Sequence, residues 1–374
     1  MDNLLREIDL AGSFVDLSRP LRQVHLGGGT PNFLLPEAMN RLVTSLRERL
    51  SPQPDAEWAI ECDPRVLDAD YVDLLLDLGM NRFSLGVQDL DPEVMAAVNR
   101  RQTLMQLEDV VTRLRSRGDV PINLDLIHGL PKQRPDTWAR TLENVVRLRP
   151  SRLAIFGYAH VPWLKAHQTA LERHGLPDAE LRAELMAMAR AALCAAGYVE
   201  IGMDHFALPE DELSLARRDG TLHRNFMGYT TKRGLDQVAV GVSAISRVGR
   251  SYAQDLKDRG AWENSLDAGT MPWERGLVLT DDDLLRGDII TELSCNGRLD
   301  IRDIEQRHGI DFATTFEREL SDLREMERDG LLRIAPDALA LTEHGLYLVR
   351  NACMVFDAWL PRAAEMGPRY SSTV

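Results

Sequence analysis

Residues 24–34 read VHLGGGTPNFL. A short apolar run with the look of a buried strand ends in three glycines, and Thr30 and Pro31 follow. Three successive glycines cost conformational entropy and offer no side chain to a core. Something must therefore approach the bare backbone of Gly27, Gly28 and Gly29. The segment is no P-loop, because no Gly-Lys-Ser/Thr follows, and it is not the G-x-G-x-x-G dinucleotide fingerprint. It reads as a sharp turn off a strand that leaves amide N–H groups exposed. Thr30 can cap the next turn and Pro31 sets the path onward. Such an edge can pair with an extended polar fragment, for example the carboxylate or amine of an amino acid. The alternative is a plain strand-to-helix turn, and the glycines alone favour that alternative.

Outward from this stretch the pattern repeats. RQVHLGG (22–28), EWAIECDP (57–64), NRFSLGVQ (81–88), PINLDLIHGLP (121–131) and SRLAIFGYAH (151–160) read as buried strands, and the segments between them carry helical spacing. Strand then helix, recurring about every thirty residues, implies a parallel sheet with helices outside. Gly28, Glu61, Gln88, Asp125 and Ala159 fall at the ends of these strands, and parallel α/β sheets bind ligands at that carboxyl edge. Five such strands are visible where an eight-stranded closed barrel needs more, so the expected fold is α/β with a partial barrel.

The start of the chain, MDNLLREIDLAGSF, reads as an amphipathic helix and not as a signal peptide. Residues 178–197 form a further helix, 203–231 an irregular polar stretch, and VAVGVSAIS (238–246) a possible strand. The sequence divides into 1–250, a connector over 251–279 with a helical piece, and 280–374. The last of these reads helix, helix, hairpin, helix, which predicts a small winged-helix-like domain whose first helix is capped by Thr280.

The 374 residues carry a formal net charge of −14, which disfavours nucleic acid and anionic membrane. Within 281–374, 19 acidic against 11 basic residues leave −8, so the winged-helix pattern is expected to be a lid or cavity wall and not a DNA reader. A negatively charged substrate needs a local basic pocket against this field. No stretch of 18 apolar residues predicts a membrane span. Cys62, Cys194, Cys295 and Cys353 are too scattered for a disulfide framework or a cysteine-only metal site, which fits a reduced, cytoplasmic chain. Cys62 reads as a core thiol.

Several polar groups converge on one edge, which moves the balance towards a binding site. Glu61 suits an ammonium group, Arg100 a carboxylate, and Asp125 sits inside an apolar run. HLGGGTP, ECDP, RFSLGVQDLDPEVMAAVNRRQ, LDLIHGLPKQ, FGYAHVP, GMDHFALPEDELSLA and LHRNFMGYTT resemble the oxygen-independent coproporphyrinogen III oxidases (coproporphyrinogen dehydrogenases) from near residue 1 to the end. The resemblance implies a radical S-adenosylmethionine (SAM) barrel of the (β/α)6 type. It implies oxidative decarboxylation of two propionates of coproporphyrinogen III to vinyl groups, giving protoporphyrinogen IX in haem biosynthesis. It also implies two S-adenosylmethionine molecules, a [4Fe–4S] cluster and an electron donor; a monomer is expected. By position, Gly28, Glu61 and Ile245 look like contacts to the first S-adenosylmethionine. Gly29, Thr30, Gln88, Arg100, Asp125 and Ala159 look like contacts to the second. Lys132, Lys165 and Arg224 are candidates for the substrate's carboxylates, and His205 and His223 for a pyrrole or a carboxylate, the alternative for both being a histidine that satisfies buried backbone. No residue is assigned as the catalytic one.

The family's cluster is held by a C-x-x-x-C-x-x-C run ahead of the glycine strand, and this sequence has no such run. It reads as the family without its N-terminal segment and without the first barrel strand. The expectation is a chain with no metal ligands that is inactive as written. The competing expectation is a truncated, non-catalytic relative that binds porphyrin or S-adenosylmethionine.

Overall fold

The structure is a computed structural model that describes residues 1–360. Strands β1 (Pro20–Leu26), β2 (Ser51–Cys62), β3 (Arg82–Gln88), β4 (Ile122–His128) and β5 (Arg152–Gly157) run parallel and lie side by side in chain order. β6 (Val199–Gly202) and β7 (His205–Ala207) complete the seven-stranded sheet as an antiparallel pair, with β7 against β5. β1 and β6 are its two edges, so the sheet stays open among the described residues.

Alternation along the strands decides which face does what. In β3, Phe83, Leu85 and Val87 are buried under the helices while Ser84, Gly86 and Gln88 take the other face. In β4, Ile122, Leu124 and Leu126 are buried and Asn123 and Asp125 alternate with them. The covering helices match. Helix Leu104–Arg115 begins with a Thr103–Gln106 capping box and buries Leu107, Val110, Val111 and Leu114, one stripe at helical spacing. Helix Pro36–Arg49 starts on proline and buries Met39, Leu42, Val43 and Leu46. The apolar core thus lies on the helix side, and the opposite face is left to polar side chains.

The polar stretch 203–231 holds β7, helix Glu212–Arg218 and the hairpin β8 (His223–Asn225) and β9 (Gly228–Thr230). Only the end of the 238–246 run is extended, as β10 (Ile245–Val248). Gly241 (φ +110°) and Ser243 (φ +63°) turn the chain before it. Residues 251–279 contain β11 (Ser251–Asp255), helix Arg259–Asp267 and β12 (Trp273–Val278), which join β10 in a second sheet.

Beyond it, helix Asp281–Asn296 has the Thr280 cap and ends on Gly297 at φ +64°. Helices Ile301–His308 and Glu317–Arg328 and a sheet in the order β13 (Arg298–Asp300), β15 (Ala338–Leu341), β14 (Leu332–Ala335) enclose a separate core around Ile289, Leu293, Phe312, Phe316 and Phe356. No helix among the described residues is long and apolar enough to cross a membrane.

Candidate binding site at the carboxyl edge of the sheet

After β1 the chain turns through Gly27, Gly28 and Gly29. Gly28 (φ +73°) and Gly29 (φ +121°) hold backbone conformations that side chains resist. A Cβ on either would meet nothing within 4 Å, whereas one on Gly27 would lie 2.7 Å from His25 Nε2 and 3.0 Å from the Glu61 carboxyl. Gly27 is therefore small for packing, and the next two are bare towards open space. Asn32 is buried and clamps the turn to the end of β2, donating to the Asp63 carbonyl and accepting from the Asp63 amide, each at 3.0 Å. The expected Thr30 cap does not form. The following turn is closed instead by the Phe33 amide on the Thr30 carbonyl at 2.9 Å.

Glu61 lies 3.0 Å from His25 Nε2. That contact, joined by the Gly28 amide, holds its carboxyl below the usual glutamate range. The group stays ionised with close to half of its surface open, so its remaining lone pairs suit an ammonium. Gln88 ends β3 at φ +69°, where the pairing with β4 slips. Arg100 reaches back to the Gly86 carbonyl at 2.5 Å and pairs with buried Asp63 at 3.1 Å. Its Nη1 keeps no partner among the described residues, leaving a donor edge for an anion.

Register carries the site across the sheet. Gly86, Asp125, Ala154 and His205 oppose one another in turn through β3, β4, β5 and β7. Asp125 accepts from Ser84 Oγ at 2.9 Å and from Asn123 Nδ2 at 2.8 Å, and burial pushes its carboxyl above the usual aspartate range. Ala154 between Asp125 and His205 is small, so those two groups feel each other's charge. Ala159 follows β5 on a loop braced by Gln168, whose amide donates to the Ala159 carbonyl at 3.0 Å and accepts from Val161 N–H at 2.7 Å.

A basic corner stands beside this row. His205 Nδ1 is 2.7 Å from Asp204, and its ring meets Phe156 and Tyr229 edge-on. Arg224 contacts Met203 Sδ at 2.9 Å and lies over the Tyr229 ring, and Arg350 approaches Asp204 at 3.8 Å. Burial works against an ionised Asp204, yet His205, Arg350 and Arg224 hold it below the usual range. Two arginines around one carboxylate leave a local positive surplus in an acidic protein.

Of the residues singled out from the sequence, Gly28, Gly29, Thr30, Glu61, Gln88 and Ala159 stand at the ends of strands of one sheet or just beyond them, whereas Asp125, expected at a strand end, lies in the middle of β4, and Arg100 follows helix Pro92–Ala97 and reaches back to β3. Ile245 opens β10 in the second sheet, with its hydrogen-bonded partners there. Lys132 and Lys165 are exposed. His223 lines a different cavity, of about 340 Å³, with Arg247, Tyr252, Leu284 and Phe356. Residues overlooked in the sequence are His25, Asn32, Asp63, Ser84, Asn123 and Asp204. The strand alternation that put Glu61 on the polar face would also have put His25, Ser84 and Asn123 there.

The profile described as the Radical SAM superfamily matches residues 4–145, and that of the HemN C-terminal domain matches 279–348. The oxygen-independent coproporphyrinogen III oxidase of Pseudomonas aeruginosa is 44% identical over 360 residues, covering 96% of this chain and 78% of the relative. That of Salmonella typhimurium is 43% identical over 368 residues, covering 98% and 80%. The solved structure of coproporphyrinogen III oxidase (HemN) from Escherichia coli, described as a radical SAM enzyme, superposes with a TM-score of 0.93 at 41% identity, over 96% of this chain and 82% of that one.

Such proteins imply S-adenosylmethionine and a [4Fe–4S] cluster. The glycine turn and ionised Glu61 fit the amino acid end of the first. The described residues do not fit the second. Cys62, Cys295 and Cys353 are buried and Cys194 stands exposed on helix Ala179–Ala195. Burial pushes the Cys62 thiol far up, the Cys295 thiol to about 11 and the Cys353 thiol to about 12, whereas iron takes thiolates. No group of three or more His, Cys, Asp or Glu among the described residues could hold a metal ion.

Proposed function

The chain belongs to the oxygen-independent coproporphyrinogen III oxidases, and from that membership we propose that it binds S-adenosylmethionine and coproporphyrinogen III at the carboxyl edge of its parallel sheet. Gly28, Glu61 and Ile245 hold one S-adenosylmethionine, with Glu61 against its ammonium. Gly29, Thr30, Gln88, Arg100, Asp125 and Ala159 hold a second, with the free edge of Arg100 turned to its carboxylate. S-adenosylmethionine is the group from which radical SAM chemistry draws its adenosyl radical. The substrate's carboxylates rest against Arg224 and His205, where the positive surplus offsets the −14 field of the whole chain. His205 orients its ring on Asp204 and leaves Nε2 for the ligand. Lys132, Lys165 and His223 drop out of this role, since the first two are solvated and the third faces another cavity.

The 374 residues are proposed to carry the binding half of the reaction and not to complete the decarboxylation alone, for want of three convergent thiolates among the described residues. The observation that carries the reading is ionised Glu61, held by His25 and the Gly28 amide beneath open backbone. Calorimetric titration with S-adenosylmethionine tests it, with binding expected for the unaltered chain and weakened by about 10–100-fold in Glu61→Ala. Anaerobic reconstitution with iron and sulfide is expected to leave no stoichiometric cluster; a full cluster would overturn the second half of the proposal.

A further inference from the structure

Glu7, on helix Asp2–Ala11, is wholly buried, and Asp255, at the end of β11, is 3% exposed. Glu7 Oε2 accepts from the Gly241 amide at 2.9 Å and from Trp262 Nε1 at 3.1 Å. Glu7 Oε1 is buried and meets no N–H or O–H donor of a neutral or basic group. The carboxyl of Asp255 faces Glu7 within hydrogen-bonding reach. No basic side chain acts on either acid. On the same helix, Arg6 turns out to Asp267 and Asp9 to Arg49. On helix Arg259–Asp267, Asp258 caps its own first turn and Glu263 pairs with Arg259. From the neighbouring strands, Arg275 goes to Gln254 and Arg247 lies over Tyr252. Two buried carboxylates in contact, with no cation, cannot both be ionised.

The Glu7 carboxyl and the main chain of Asp255 and Leu256 fasten one segment. Gly241 N–H binds Glu7, Asp255 N–H binds the Ala244 carbonyl at 2.9 Å, and Ser243 N–H binds the Leu256 carbonyl at 3.0 Å. The segment holds Gly241 and Ser243 at positive φ and delivers Ile245. We propose that Glu7 and Asp255 share a single proton and act as positioning residues, clipping Gly241–Ile245 in place so that S-adenosylmethionine binding depends on that proton. The cofactor half of this inference rests on the function proposed above.

Burial and Glu7 push the Asp255 carboxyl up from 3.8 to about 8. The folded chain therefore keeps a proton that the unfolded chain releases near pH 4. The stability that this proton contributes is fully present below pH 4 and declines as pH rises towards 8, by up to about tenfold in the folding equilibrium per pH unit for one proton. Above pH 8 the pair is doubly charged and the clip parts.

The test uses the full chain and Glu7→Gln. The glutamine keeps an acceptor for Gly241 and Trp262 and donates its amide to an ionised Asp255. Melting temperature is followed from pH 5 to 9, and S-adenosylmethionine affinity by calorimetry from pH 6 to 10. The expected result is a decline of both with pH in the unaltered chain and a flattened profile in Glu7→Gln. Asp255→Asn makes the same test from the other side if the first variant does not fold. A flat melting profile in the unaltered chain, or an unchanged slope in the variants, overturns the shared proton. A melting slope that flattens in the variants, with no S-adenosylmethionine binding in any protein, overturns the function proposed above and the cofactor half here, while supporting the shared proton.

Discussion

The two halves of the seven-stranded sheet present opposite chemistry at one mouth. The parallel half, β1 to β4, offers bare amides, the ionised Glu61 and Asp125 with its two donors, and its arginines Arg65 and Arg100 both pair with Asp63. The antiparallel end, β6–β7 with the following hairpin, offers His205 and Arg224, and helix Val349–Val355 adds Arg350 around the same carboxylate. The charge of the first half suits a ligand's ammonium end, and that of the second suits a carboxylate.

The comparison breaks most readily at the seam between the halves. Arg152 of β5 binds both oxygens of Asp211, at 2.9 and 3.0 Å, and Glu212 at 2.9 Å, while Arg82 of β3 binds Glu57 and Glu212, each at 2.6 Å. Arg152→Ala leaves Asp211, whose side chain is 7% exposed, with its helix cap to Leu213 N–H but without its cation, and is expected to lower stability by about 3 kcal/mol. Urea unfolding measures this, and a loss near zero would show that the seam is held elsewhere. Next, Glu61→Ala should weaken S-adenosylmethionine binding by about 10–100-fold, the range for a lost charged hydrogen bond. Affinity for coproporphyrin III, the fluorescent oxidised form of the substrate, should not move. Arg224→Ala should do the reverse, costing about tenfold in coproporphyrin III affinity and sparing S-adenosylmethionine. If both variants lose both ligands, the two halves are not separate subsites. The smallest effect is expected for Cys62→Ala, with S-adenosylmethionine binding unchanged within about twofold, because the thiol faces the core and not the mouth.

The parallel half was legible from residues 20–160 because its signals are local: apolar alternation marks the strands, and glycines and polar residues punctuate their ends. The antiparallel end was not. The 203–231 stretch reads as irregular since β7, β8 and β9 are three residues each, too short for any period to show. The Glu7–Asp255 pair could not be read at all, because an acid on an amphipathic helix and one beyond a hairpin look like two solvated charges until packing removes their water.

The order of strand and helix, the five parallel strands, the glycine turn and the scattered cysteines were all determined by the sequence, since each depends on neighbours within a few residues. Only the tertiary structure decided that His25 meets Glu61, that Arg224 and Arg350 gather at Asp204, and that two acids 248 positions apart share a dry contact. Those pairings rest on strand register and on long-range burial, where desolvation sets the charge state and a linear string carries no distance.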